Sequence, residues 1–194
     1  MITKTRATLE DLYATPGKAE LVNGELVLMS PTGDKPGWAG DEIFVSLRSY
    51  VRMTSFGRAV SDNKGFLAQL PNRRSFSPDA AFYTGRPGDM KLFPDVPVFA
   101  AEVRSENYYG PGAEEDMATK RADYFAAGCQ VFGTWTCLVK TWCASTGRTT
   151  PTTLPSTAGA KPPKPGPPCR AGRCRWTTCS SSFGIPHAAE LLHG

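Results

Sequence analysis

Three side chains within one stretch have the chemistry to hold a divalent cation and work beside it. Asp79 follows Ser77-Pro78 in an apolar run that reads as a strand from Phe76 to Tyr83. Glu102 sits near the end of a second run, from Pro97 to Val103. Lys120 lies in a helix-like segment, where Asp116, Lys120 and Tyr124 are spaced four apart and share a face. A carboxylate set into an apolar run is costly to bury unless it is paired or binds a cation. Two carboxylates from neighbouring strands, with one lysine beside them, form a site for a hard divalent ion, which prefers oxygen ligands. The same residues also admit a structural reading. Asp79 follows a proline and can cap a turn. Glu102 can pair with Arg104 or Lys120, and Lys120 with Asp116, because ion-pair networks gather such residues too. Spacing alone leaves both readings open.

The elements that must position these groups can be read in order. Thr8-Leu9-Glu10-Asp11 has the form of a capping box and predicts a short helix through Tyr13 or Ala14, ended by Pro16-Gly17. Asn23-Gly24 is a two-residue hairpin turn between Glu20–Val22 and Glu25–Met29, since both turn positions tolerate positive φ. Glu20, just before that turn, is either a third carboxylate facing the site or an exposed hairpin glutamate. Pro31–Gly37 reads as a loop. Ile43, Phe44, Leu47 and Val51 predict a helix over Trp38–Met53. Short strands follow at Gly57–Ser61 and Gly65–Leu70. Arg73 and Arg74, next to the Asp79 strand, would suit a phosphate backbone if they face the site, but solvated turn arginines are commoner. Glu102 and Arg104 are two apart in a strand and share a face. Tyr108 and Tyr109 have rings able to stack on bases or to cover the core edge. The last helix runs over Ala113–Ala127, with acidic residues in its first turn and Gly128 at C′.

One ordered set of motifs resembles a known family. Glu20-Leu21-Val22-Asn23-Gly24-Glu25, Met29-Ser30-Pro31, Ser77-Pro78-Asp79, Glu102-Val103-Arg104-Ser105, Lys120-Arg121-Ala122-Asp123-Tyr124 and Ala127-Gly128 are similar in kind and order to the Uma-two family. These are restriction-endonuclease-like proteins, many of them bacterial, with the PD-(D/E)XK nuclease fold. The resemblance covers residues 5 to 131 or so. It implies an α/β restriction-endonuclease-like core, with a mixed central sheet flanked by helices. It also implies a metal-dependent endonuclease activity on DNA phosphodiesters, with Mg²⁺ or Mn²⁺ as cofactor. Asp79 and Glu102 match the family's two acidic metal ligands. The lysine of the general nuclease motif lies two residues after the glutamate, where this chain has Arg104. In this family the lysine comes from the following helix, which matches Lys120. Glu20, Arg104 and Asp116 are accessory candidates, Arg104 as a phosphate contact or as a substitute for the displaced lysine. DNA is the implied partner, and pairing of two copies as a homodimer is left open. The alternative from another class is a non-catalytic, degenerate or DNA-binding remnant.

Composition bounds these readings. The chain has 194 residues, 40% hydrophobic and 21% charged, which suits one domain with a core. No apolar run is long enough to span a bilayer, and the N-terminus lacks the apolar segment of a secretory signal. A cytoplasmic location is the expectation. The net charge of +4 is uneven: residues 1–131 hold 15 Lys/Arg against 17 Asp/Glu, while residues 132–194 hold 7 Lys/Arg against Glu190 alone. The catalytic half is therefore no basic module, and a nucleic-acid reading cannot rest on bulk charge.

Beyond Val131 the texture changes to Thr, Pro, Gly and Cys. All six cysteines lie at or beyond position 129. The sequence predicts a division into a domain over 1–131 and an aberrant, irregular, disordered tail over 132–194. Back-translating Phe132–Cys137 with GC-rich codons and moving the frame gives Trp-Asp-Val-Asp-Val, close to the family's closing strand. A reading-frame shift near 131–132 is therefore the expected origin of the tail. It predicts a core lacking a strand beside Val98–Val103. Cys169, Cys174 and Cys179 are five apart, wider than the cysteine pairs of zinc modules, so neither zinc nor disulfides are expected there.

Overall fold

The computed structural model describes residues 6–106, 108–137 and 141–147. Helix α1 (Leu9–Ala14) begins at Thr8, whose side chain accepts from the Asp11 N–H while Asp11 accepts from the Thr8 N–H, so the capping box forms as read. Strands β1 (Ala19–Val22) and β2 (Glu25–Leu28) make the expected hairpin. Its turn puts Asn23 at φ 53° and Gly24 at φ 76°, the conformation that selects Asn-Gly.

Helix α2 (Asp34–Thr54) starts four residues earlier than its apolar period indicates. Pro36 falls in its first turn, where the backbone N–H has no helical partner, so proline there does not oppose the helix. Its buried face carries Ala39, Ile43, Leu47 and Tyr50. Strands β3 (Arg58–Ser61), β4 (Phe66–Leu67), β5 (Ser75–Phe76) and β6 (Ala80–Tyr83) follow. The expected single strand from Phe76 to Tyr83 is thus broken in two. Pro78 cannot donate to a ladder, and Ser77-Pro78-Asp79 becomes the joint between a small β4–β5 ribbon and the main sheet. Strand β7 (Phe99–Arg104), helix α3 (Pro111–Ala126), strand β8 (Val131–Thr136) and strand β9 (Thr141–Thr146) complete the described elements.

The main sheet has five strands in the order β3-β6-β7-β8-β9, all neighbours antiparallel except the parallel pair β7–β8. A parallel pair needs a crossover connection, and α3 supplies it. The result is the mixed sheet between helices that the sequence implies. On one face α2 packs Ile43, Leu47 and Tyr50 against Ala80, Phe82, Phe99, Ala101 and Trp135. On the other, Met117 and Tyr124 of α3 meet Ala100 and Phe132, with Phe76 stacked on Tyr124 at 3.9 Å between ring centres. Alternation along β7 thus sends odd positions to α2 and even ones, Glu102 included, to α3.

The expectation of a missing strand is corrected here. Val131–Thr136 pairs with all six residues of β7, and β9 pairs with β8 over six more. A backbone ladder asks little of side chains beyond burial of the right ones. Phe132 faces the α3 core and Trp135 the α2 core, both nearly inaccessible, so the period of two survives in a segment whose composition otherwise changes. Burying a phenylalanine contributes about 1.5–3 kcal/mol, comparable to the backbone ordering entropy of a residue or two. The rest of the tail, with Cys169, Cys174 and Cys179, lies outside the described residues.

Candidate active site

Asp79 is fixed by the backbone of the strand beside it. Its N–H donates to the Ala101 carbonyl at 3.0 Å, and its Oδ2 accepts the Val103 N–H at 2.7 Å. Proline at 78 ends one ribbon, and these two bonds attach the next residue to β7. The carboxylate is therefore held at the backbone of Val103, the residue after Glu102. The remaining oxygen, Oδ1, accepts from Lys18 Nζ at 2.6 Å.

Glu102 points from β7 towards α3. Its Oε1 accepts from the Tyr124 hydroxyl at 3.0 Å and pairs with Lys120 Nζ at 2.9 Å. Lys120 reaches a second carboxylate, Glu20 Oε1, at 3.0 Å. Lys120 thus meets Glu102 as the sequence predicts, and its partners are Glu20 and Glu102 in place of Asp116. Burial pushes the Glu102 carboxyl up to about 7; Asp79 and Glu20 add to the rise, while Lys120 and Lys18 oppose it. Burial works against the charged form of Lys120, but Glu102 and Glu20 outweigh it and hold the ammonium above its usual range.

Glu20 is the third carboxylate of the sequence reading, and it is nearly inaccessible. Its oxygens are already engaged. Oε1 accepts the Ser77 N–H at 2.8 Å in addition to Lys120, and Oε2 accepts from Arg73 Nη1 at 2.6 Å. Arg73 also donates from Nε to Asp123 at 2.8 Å, and Asn72 donates to the other Asp123 oxygen at 2.9 Å. Arg73 is therefore neither a solvated turn arginine nor free to meet phosphate: its guanidinium is buried, 5.0 Å above the Phe76 ring, and spent on two carboxylates. Burial alone would raise the Glu20 pKa, yet Lys120, Arg73 and the Ser77 N–H together lower it. Glu20 therefore serves to hold Lys120 in place beside Glu102.

The other accessory candidates are not brought to this cluster. Arg104 shares the α3 face with Glu102, as predicted, but forks onto Glu114 in the first turn of α3, with Nη2 to Oε2 at 2.8 Å and Nη1 to Oε1 as the second arm. The Tyr109 ring lies 5.8 Å from its guanidinium. Among the described residues, Arg104 Nε and the Tyr109 hydroxyl are buried side-chain atoms without a hydrogen-bond partner. Asp116 is exposed beside Tyr108, whose hydroxyl pKa is raised by burial and then by Asp116.

Two residues escaped the sequence reading. Lys18 precedes β1 and lies on the Glu20 side of that strand by period two, which is the signal that could have found it. Asp62 closes β3, and its Oδ1 accepts from Lys18 at 2.6 Å. No local signal distinguishes Asp62 from a turn residue.

The donors available to an ion at Asp79 and Glu102 are all oxygens, which suits Mg²⁺ or Mn²⁺. Among the described residues no three His, Cys, Asp or Glu side chains close a metal cage by themselves. Mg²⁺ is commonly held by one or two carboxylates plus water and substrate phosphate, so a two-carboxylate seat fits it. A cation already lies against Asp79: the Lys18 ammonium, which feels Glu102 as well.

No helix among the described residues is long and apolar enough to cross a membrane. No curated protein matches the chain. Among solved structures, the chain is similar to a "putative nuclease belonging to DUF820" from Anabaena variabilis ATCC 29413, with a TM-score of 0.59 and 14% identity over 74% of this chain and 81% of that one. At that identity the likeness shows a shared fold. Residues 6–137 match the model of the Uma2 family, described as "Putative restriction endonuclease", a span that includes β8 as well as Asp79, Glu102 and Lys120, and the chain belongs to that family.

Proposed function

We propose that the protein is a divalent-metal-dependent endonuclease that hydrolyses DNA phosphodiesters, with Asp79 and Glu102 holding Mg²⁺ or Mn²⁺ and Lys120 acting beside them. The observation that carries this reading is the convergence at Glu102. A joint between strands, a strand and a helix bring Asp79, Glu102 and Lys120 together, with Lys120 Nζ 2.9 Å from Glu102, and the charge of Asp79 raises the Glu102 pKa. The membership of a nuclease-like family supports it.

When bound, such an ion supplies Lewis-acid polarisation of the phosphate and a lowered pKa for water. The protein's part is to hold and orient. Val103 N–H fixes one Asp79 oxygen, leaving the other to face a cation. Tyr124 and Lys120 fix one Glu102 oxygen. Lys120 keeps its proton, because Glu102 and Glu20 hold it there, so it serves as a positive charge that steadies a phosphate oxygen as negative charge builds. Arg104, clamped to Glu114, has a supporting place on the same face.

Nicking of supercoiled plasmid in Mg²⁺ or Mn²⁺ tests the proposal. Activity is expected in the wild type and lost in Asp79→Ala and Glu102→Ala. Lys120→Ala should lower the rate by about 10²–10³-fold, as loss of one charge-stabilising donor does, with Mn²⁺ binding by calorimetry largely retained. A folded wild type that nicks nothing and binds no Mn²⁺ would favour the non-catalytic reading.

A further inference from the structure

Lys18 stands where a metal ion would be expected to stand. Its ammonium is 2.6 Å from Asp79 Oδ1 and 2.6 Å from Asp62 Oδ1, with its side chain only 13% exposed. Burial disfavours its charge, but Asp79 and Glu102, then Asp62, more than restore it. A lysine ammonium is a compact point charge on a flexible four-carbon stem, and here it sits on Asp79 Oδ1, the oxygen left to face an ion, with Asp62 Oδ1 as its second partner. Two cations cannot share Asp79 Oδ1 at contact distance without strong repulsion.

The two partners of Lys18 differ in a way that permits exchange. Both carboxylates accept a backbone N–H, Asp79 Oδ2 from Val103 and Asp62 Oδ1 from Asn63, but the Asp79 side chain is 14% exposed and the Asp62 side chain 36%, with Thr32 Oγ1 at 3.4 Å from Asp62 Oδ2. Lys18 can give up Asp79 and keep Asp62. We propose that Lys18 is a tethered counter-cation that occupies the Asp79 seat until a divalent ion displaces it, and that Asp62 retains Lys18 after displacement. Lys18 and Asp62 together then set the affinity for the ion. This rests on the metal-dependent reading above.

Calorimetric titration of the full chain with Mn²⁺ tests it, using variants shown by thermal melting to be folded. Lys18→Met should tighten Mn²⁺ binding by about tenfold, a typical coupling between competing occupants. Asp62→Asn should weaken binding in the wild-type background, because Lys18 loses its second seat, and should have no effect in the Lys18→Met background. Binding unchanged or weaker in Lys18→Met overturns the proposal. So does an Asp62→Asn weakening of equal size in both backgrounds, which would make Asp62 an ion ligand. In the wild type, the Lys18 Cε resonance should move on Mg²⁺ addition and saturate with the binding isotherm; a stationary resonance during measurable binding also overturns it, and this measurement needs no variant. Absence of Mn²⁺ binding in both wild type and Lys18→Met sinks the metal-dependent reading itself, and this proposal with it.

Discussion

The molecule contains two clusters of carboxylates and cations built from similar residues and put to different use. In the inner one, Arg73 ties Glu20 to Asp123, and Asn72, Ser77 N–H and Lys120 fill further acceptor positions. Its members come from β1, the segment around the β4–β5 ribbon and α3, so it fastens the hairpin to the helix. In the outer one, Lys18 bridges Asp79 and a half-exposed Asp62. The inner cluster cannot release a partner without stranding a buried charge. The outer one can, because water reaches Asp62. Burial decides which cluster is scaffold and which can exchange a cation, and Glu102–Lys120 lies at the boundary between them.

Cutting the inner cluster should have the largest effect. Arg73→Met leaves Asp123 buried without its cation and Glu20 with Lys120 alone, and breaking a buried pair in this way costs about 3–5 kcal/mol. Urea unfolding should show it as a lower midpoint. A loss below about 1 kcal/mol, the level of an exposed pair, would erase the contrast.

The boundary should show itself in pH. The Glu102 carboxyl is raised from the usual 4.5 to about 7, mainly by burial, so the folded protein binds that proton more tightly than the unfolded chain. This contribution to stability is complete below about 4.5 and is lost as pH rises through about 7. Glu20, lowered in the fold, has the opposite sign and makes its full contribution above its unfolded value, leaving the window between to Glu102. Metal-free wild type should therefore lose stability across that window, and Glu102→Gln should flatten the loss. Denaturant midpoints measured at a series of pH values would decide it; equal slopes in the two proteins count against a protonated Glu102.

The outer cluster should yield least. Asp62→Asn removes one of two partners of Lys18 at a half-exposed site, a change of about 0–1 kcal/mol in stability. A cost equal to that of Arg73→Met would mean that both clusters are scaffold.

Much of this was legible beforehand. The capping box at Thr8 and the Asn23-Gly24 turn are local, because their hydrogen bonds and φ values involve residues three apart or fewer. The pairing of Glu102 with Lys120 was legible through the resemblance, and the shared face of Glu102 and Arg104 through strand period. Composition after Val131 argues against a closing strand, yet Phe132 and Trp135, on opposite faces, are enough to seat it. Arg73 reads as a solvated turn residue or a phosphate contact, because adjacent arginines in a turn give no sign of burial.

By itself the sequence determined the hairpin, the presence of the helices and the family to which the chain belongs. These follow from short-range periodicity and from the order of motifs along the chain. Only the tertiary structure decided that Glu20 is bound to Arg73, that Arg104 turns to Glu114, and that Lys18 and Asp62 meet Asp79. Lys18 and Asp62 are 44 residues apart, and Lys18 and Asp79 are 61 apart. Charge pairing over such separations is set by which strands and helices pack together, and no local pattern of residues encodes it.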